Sequence, residues 1–310
     1  MKKAGIYSLI LFWITAVNSV LAKDTFITLN GVKHWYKVAG VKSEKIPFVI
    51  IHGGPGGNNY NFERTIGKLL EQQYKVVYYE QRGSGRSEKP ANGNYAVDTL
   101  VSDLQQLQQK LGFRKIIPLG YSFGTQLALE FALKHPEQVE KLVLESPAFL
   151  NAADDNTLYQ ITGFRSVADS VELKKIQQVL ETDKSLPDKL NSIWAGASGA
   201  LVDKFLFHNS NAAKQNRQLW KESGIKNNGE MFKYLMQHTP QESLVKRAGA
   251  VKVPVLLLVG VHDRNGAFQI SLQLKQANPS FQLEYLLNSA HFPDMEETAV
   301  FYEKVNSFLQ

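Results

Sequence analysis

The sequence predicts an α/β fold: a mostly parallel central sheet, helices on both faces, and a helical segment inserted late in the chain. Three observations predict it. Short apolar runs at 47–51, 75–79, 115–119, 141–144 and 253–259 read as strands covered on both faces, and helix-length amphipathic segments separate them. Several runs pass directly into Gly-rich or polar loops, as parallel strands feeding a shared sheet edge would. From about 148 to 250 the strand-like runs vanish and amphipathic segments carrying Trp194, Phe205, Phe207, Trp220, Phe232 and Tyr234 take over, which predicts an inserted helical cap whose aromatics mostly pack its own core. The expected organisation is a leader at 1–22, a first core part at 23–147, the cap at 148–250 and a second core part at 251–310. At 310 residues and 44% hydrophobic, the chain is long enough to bury a sizeable core.

Taken in order, residues 1–22 combine Lys2 and Lys3, an apolar run and the small-residue pattern Val20-Leu21-Ala22, which reads as a secretory signal peptide cut after Ala22. The apolar run is shorter than the ~20 residues of a membrane span, so the mature chain is expected to be exported, periplasmic or secreted, without stable membrane insertion. Residues 25–29 and 34–38 alternate around Asn30-Gly31 and predict a hairpin. The strand at 47–51 runs into His52-Gly53-Gly54-Pro55-Gly56-Gly57, where small residues let backbone amides turn inward, and His52 is expected to shape that loop. The strand at 75–79 enters 80–87, whose charges Glu80, Arg82 and Arg86 are suited to tying neighbouring loops together. Helices are predicted at 95–111, 123–134, 267–277 and from about 294 to 309, and a further strand at 281–286. There is no internal repeat.

Composition narrows the chemistry. The net charge is +6, yet Lys and Arg are scattered, which describes a solvated basic surface and predicts no nucleic acid partner. With no cysteine, disulfides, thiolate metal sites and a cysteine nucleophile are excluded. The seven histidines show no metal-ligand spacing, so neither a metal nor another cofactor is predicted.

The organising motif is Gly120-Tyr121-Ser122-Phe123-Gly124, of the form G-x-S-x-G, between a predicted strand and a predicted helix. So sharp a turn strains the serine backbone and projects its hydroxyl above the sheet, and the flanking glycines let strand and helix pass closely. The amide of Phe123, opening the helix, and that of Gly54 are the candidate donors to a negative charge developing on a bound carbonyl oxygen. Asp263 and His291 also follow predicted strands, in the chain order Ser, acid, His. His291 would accept the Ser122 proton while Asp263 orients the imidazole. His262 is the rival base, and Asp263 has the alternative of a plain turn residue.

With these residues in place, the chain resembles the proline iminopeptidases, serine peptidases of the α/β-hydrolase fold that remove an N-terminal residue, classically proline. The resemblance rests on His52-Gly53-Gly54-Pro55-Gly56, Gln81-Arg82-Gly83-Ser84-Gly85-Arg86-Ser87, the Ser122 turn, Gly260-Val261-His262-Asp263 and His291. It implies an acyl-enzyme mechanism, a small-molecule or short peptide substrate, and carboxylates that hold the substrate's ammonium, for which Glu145, Glu222, Glu230 and Glu242 are the candidates. Three departures stand out: Glu80 where the family usually has Asp, G-Y-S-F-G in place of the frequent G-G-S-W-G, and Arg264 directly after the acid, where certain members carry a carboxylate. Two other readings remain: an esterase or general small-molecule hydrolase, and a non-catalytic ligand binder on the same fold. The oligomeric state is not legible.

Overall fold

A computed structural model describes residues 25–151, 154–226, 229–240 and 242–310. The leader expected at 1–22 lies outside the described residues. Eight strands form one sheet: β1 (Thr25–Leu29), β2 (Val32–Gly40), β3 (Phe48–Ile51), β4 (Lys75–Tyr79), β5 (Ile117–Tyr121), β6 (Leu142–Glu145), β7 (Val255–Gly260) and β8 (Gln282–Leu286). Their order is β1-β2-β4-β3-β5-β6-β7-β8. β2 pairs antiparallel with β1 and β4, and every pairing from β4 to β8 is parallel. The β1–β2 turn is made by Asn30 (φ 43°) and Gly31 (φ 78°), both left-handed, as a two-residue hairpin turn of matching twist requires.

Alternation along the parallel strands builds two cores. Val49, Ile51, Val77, Leu142, Leu144, Val255 and Leu257 face the helices Val97–Lys110, Gly124–Lys134 and Ala267–Ala277. Their neighbours Phe48, Ile50, Val76, Tyr78, Val143, Leu256 and Leu258 face Tyr60–Arg64, Ile66–Leu70 and Thr298–Leu309. Burial on both sides explains why these strands read as continuous apolar runs. The two short helices at 60–70 were not anticipated, and the predicted C-terminal helix is divided. Glu297 (φ −131°, ψ 50°) interrupts it between Pro293–Glu296 and Thr298–Leu309, and its carboxylate turns back to accept from the Asn288 amide at 2.8 Å and the Ser289 hydroxyl at 2.6 Å.

Between β6 and β7 the described residues form helices, with no strand. Several begin on side-chain caps, Asp169, Ser185, Ser198 and Asn209, each accepting from backbone amides of its first turn. They enclose a separate cluster in which the Phe164 ring stacks on Phe205 at 3.9 Å between centroids and meets Trp194 edge-on at 4.8 Å. Phe207 stacks on Phe292 of the core, whereas Trp220 and Phe232 are exposed. Among the described residues no helix is long and apolar enough to cross a membrane.

Candidate active site

The turn after β5 holds Ser122 at φ 51°, a left-handed conformation that costs a non-glycine residue roughly 1–2 kcal/mol. Its surroundings enforce it. The Ser122 amide donates to the Glu145 carbonyl at 3.0 Å, and the Ser122 carbonyl accepts from the amide and hydroxyl of Thr125 at 2.9 and 2.6 Å. A β-carbon on Gly120 would lie 2.4 Å from the Gly124 carbonyl oxygen, and one on Gly124 only 2.0 Å from that of Ile51. Only glycine fits at either place.

The loop after β3 packs against this turn. A β-carbon on Gly53 would meet Cβ of Ser122 at 2.8 Å. Gly54 sits at φ 128°, and among the described residues neither its amide nor that of Phe123 donates to a protein acceptor. Beneath the loop, His52 is fully buried. Its Nε2 faces the Gln81 amide at 3.1 Å, a group that only donates, so Nε2 accepts and Nδ1 carries the proton it gives to the Gly53 carbonyl at 2.8 Å. Burial holds this imidazole neutral and lowers its pKa to about 4. With both nitrogens engaged, His52 shapes the loop.

Ser122, His291 and Asp263 come together in one hydrogen-bonded line. Asp263 Oδ2 lies 2.6 Å from His291 Nδ1, and His291 Nε2 lies 3.0 Å from Ser122 Oγ. A carboxylate accepts only, so Nδ1 holds the proton and Nε2 presents its lone pair to the serine hydroxyl. The carboxylate is fixed in turn: its Oδ1 accepts from the amides of Asn265 and Ala267 at 2.8 and 3.1 Å. Both Asp263 and His291 are buried. The rival base, His262, points elsewhere. Its ring stacks on His208 of the cap at 3.8 Å, and burial, then the neighbouring His208, lowers its pKa.

Several contributors were not legible beforehand. Asn265 brings Nδ2 to 3.4 Å from His291 Nε2, and the Tyr159 hydroxyl donates to the Asp263 carbonyl at 2.7 Å. The cap reaches the histidine loop twice. The Leu206 carbonyl accepts from the His291 amide at 3.0 Å, and the Glu296 carboxylate spans the junction, accepting from the cap amides of His208 and Asn209 at 2.6 and 2.7 Å and from the core amide of Ala290 at 2.7 Å. The loop after β4 is tied internally. Arg86 pairs with buried Glu80 at 2.6 Å, and Arg82 forks onto Asp103 at 2.6 and 2.7 Å.

The four candidate ammonium-binding carboxylates are engaged elsewhere. Glu222 is exposed and accepts from Gln218 one turn back at 2.8 Å; Glu230, also exposed, takes Lys89 at 2.6 Å and Tyr95 at 3.3 Å; Glu242 lies on the surface 3.6 Å from Arg247. Glu145 is buried and turned toward Asp294, whose amide donates to it at 3.1 Å. None of these side chains hydrogen-bonds to Ser122, His291 or Asp263. Arg264 is also occupied, since its guanidinium donates to the carbonyls of Lys204 and His262 at 3.2 and 3.1 Å. Among the described residues no three His, Asp or Glu side chains group as metal ligands would.

A model of the alpha/beta hydrolase fold family matches residues 46–298. The chain belongs to that family. As an α/β-hydrolase it is also similar, over nearly its whole length, to proline iminopeptidases: 25% identical to that of Lactobacillus crispatus over 295 residues, covering 90% of this chain and 95% of the relative, and 23% identical to that of Saccharolobus solfataricus over 298 residues, covering 94% and 93%. Among solved structures, a proline iminopeptidase-related protein of Thermus thermophilus superposes with a TM-score of 0.76 at 20% identity, covering 93% of this chain and 97% of that one, a likeness of fold.

Proposed function

We propose that this chain is a serine hydrolase acting through an acyl-enzyme, and that its substrate is a short peptide or related amide from which it removes an N-terminal residue. The observation that carries the reading is the line Asp263, His291, Ser122, closed at 2.6 and 3.0 Å with the serine held at φ 51°. In this reaction Ser122 Oγ attacks the carbonyl carbon as its proton passes to His291 Nε2. Asp263 stays ionised and stabilises the imidazolium. The charge developing on the carbonyl oxygen falls between the amides of Gly54 and Phe123, a contribution typically worth about 3–4 kcal/mol per donor in such sites. His291 then gives the proton to the leaving amine, and water, activated by the same base, releases the acyl group.

The aminopeptidase assignment is supported by the full-length likeness to proline iminopeptidases. The occupied state of Glu145, Glu222, Glu230 and Glu242 argues that a free amine contributes less here than in the family at large. The leader argues for export, with the mature chain beginning at Lys23. The test is a fluorophosphonate probe followed by kcat/KM for proline anilide, its N-acetylated form and a small acyl ester. Labelling of Ser122 and turnover of the anilide support the reading. An acetylation penalty of about 100-fold, ~2.7 kcal/mol of transition-state binding, would show strong amine recognition and remove the weakened-amine part. An unlabelled protein would fit the non-catalytic binder instead.

A further inference from the structure

Among the described residues two side chains bring a polar atom within hydrogen-bond reach of His291 Nε2: Ser122 Oγ at 3.0 Å and Asn265 Nδ2 at 3.4 Å. The mechanism above uses only the first. Asn265 is held in place through its own backbone. Its amide donates to Asp263 Oδ1 at 2.8 Å, and its carbonyl accepts from Gln160 Nε2 of the cap helix Asp154–Val167 at 3.2 Å. The orientation of Gln160 is set in turn, because its Oε1 accepts at 3.2 Å from the Trp194 indole, a group that only donates. The next residue, Gly266, is left-handed at φ 98°, and a β-carbon there would collide with Asn156 Oδ1 of the same cap helix. The cap thus fixes the backbone that carries Asn265 and leaves its side chain beside the reacting nitrogen.

A neutral Nε2 has one lone pair, and in the free enzyme the nearer serine hydroxyl has it. Once Ser122 is acylated its hydroxyl proton is gone, and the molecule that next approaches Nε2 meets the Asn265 amide. That molecule is water. Its oxygen bonds to the acyl carbon, one of its hydrogens passes to Nε2, and the C–Oγ bond breaks as Nε2 returns that proton to Ser122 Oγ. The second hydrogen stays on the attacking oxygen throughout and gains from an acceptor. Asn265 Oδ1 accepts from no protein group among the described residues, and the soft terminal torsion of asparagine lets it turn toward that hydrogen.

We propose that Asn265 is a further catalytic residue, whose side-chain carbonyl takes the second hydrogen of the hydrolytic water and so selects water over alcohols as the molecule that releases the acyl group. This rests on the hydrolase reading and is tested by a measurement that separates the two. The wild type, Asn265→Leu, Asn265→Val and Asn265→Asp are given the proline anilide or the small acyl ester, whichever the wild type turns over faster, in water containing a fixed share of methanol, and the methyl ester formed is measured against the free acid. Methanol has one hydroxyl hydrogen, which goes to Nε2, and its methyl group offers Oδ1 nothing. Both products come from one acyl-enzyme through one base, so a merely structural role, which damages the triad as a whole, changes the rate and cancels in the ratio. Leucine and valine fill the space without an acceptor, and the ratio should move toward the methyl ester by about threefold or more, the scale of one neutral hydrogen bond. Aspartate keeps the acceptor, and its ratio should stay with that of the wild type. Coincident ratios in all four proteins, or a ratio moved as far by Asn265→Asp, overturn the proposal and leave the hydrolase reading standing. Leucine and valine carry the same expectation, so either decides the matter if the other fails to fold. A wild type that neither takes the fluorophosphonate probe nor turns over either substrate would defeat the hydrolase reading, and the proposal with it.

Discussion

Replacing His52 by Gln should change the acid stability of the protein in a direction that can be worked out in advance. In the folded chain burial holds His52 neutral down to about pH 4, while in the unfolded chain it takes a proton near its ordinary 6.5. Its folded pKa is lowered, so above 6.5 the group is neutral in both states and the equilibrium is indifferent to it. As pH falls from 6.5 to about 4, the unfolded state binds a proton that the folded state refuses, and stability is lost. At 1.36 kcal/mol per pH unit the full loss is about 3 kcal/mol. Glutamine can still accept from the Gln81 amide but leaves the Gly53 carbonyl without its donor, so the variant should be less stable by about 1–3 kcal/mol at pH 7.5. That deficit should shrink by about 3 kcal/mol on going to pH 4 and vanish or reverse. The assay is urea denaturation of both proteins at pH 7.5, 6, 5 and 4. Only the difference between them is informative, because Asp294 acts oppositely: its pKa is raised from 3.8 to about 6, so its contribution improves as pH falls through that window. Parallel curves for the two proteins would refute the neutral, doubly bonded His52.

Other outcomes follow from the same geometry. Ser122→Ala should abolish probe labelling and lower turnover by about 10⁴-fold or more with the fold intact; a tenth of the activity remaining would exclude Ser122 as nucleophile. Asp263→Asn should cost about 10⁴-fold in kcat by presenting His291 with a donor and reversing its tautomer, and a loss under about tenfold would remove Asp263 from that role. Phe164→Ala empties the centre of the cap cluster and should destabilise the protein by about 3–5 kcal/mol in denaturation, whereas a value under about 1 would show that the cap packs otherwise. Edman sequencing of protein recovered from the native host's envelope should begin at Lys23; an intact Met1 would exclude cleavage.

The parts of the fold visible beforehand are those with strong local causes. Asn30-Gly31 can form a two-residue turn with both residues left-handed, and the structure puts them there. The run 253–259 is apolar throughout because β7 is covered on both faces, and its start moves to Val255 as Pro254 cannot donate within the ladder. The two glycines beside Ser122 announced a close approach that the structure shows at Ile51 and Gly124 themselves. What stayed hidden depends on contacts between distant segments. Glu145 looked available because it closes a strand at the loop edge, but strand alternation turns it to the face of Val143 and Tyr121, where Asp294 meets it. Arg264 looked like a repulsive charge until the cap supplied the Lys204 carbonyl 60 positions away in sequence. The helices at 60–70 are too short to show a full period, and Glu297 breaks the last helix by bonding to residues ahead of it, which no helical pattern reveals.

The double attachment through Glu296 and the Leu206 carbonyl bears on how this enzyme can be remodelled. A cap that merely lay over the site would be exchangeable, and a foreign cap would alter specificity while leaving the proton-transfer machinery alone. Here the Leu206 carbonyl takes the His291 amide, and the amides of His208 and Asn209 hold the same Glu296 carboxylate that takes the Ala290 amide. Grafts that cut between Leu206 and Asn209 should therefore damage turnover of every substrate alike, whereas replacement confined to the helices Ser170–Leu180 and Leu186–Gly196 leaves both of those fastenings, and the Tyr159 bond to the Asp263 carbonyl, in place. The variable part thus lies inside the cap, between the helices Asp154–Val167 and Gly199–Leu206, and does not reach its boundary with the sheet.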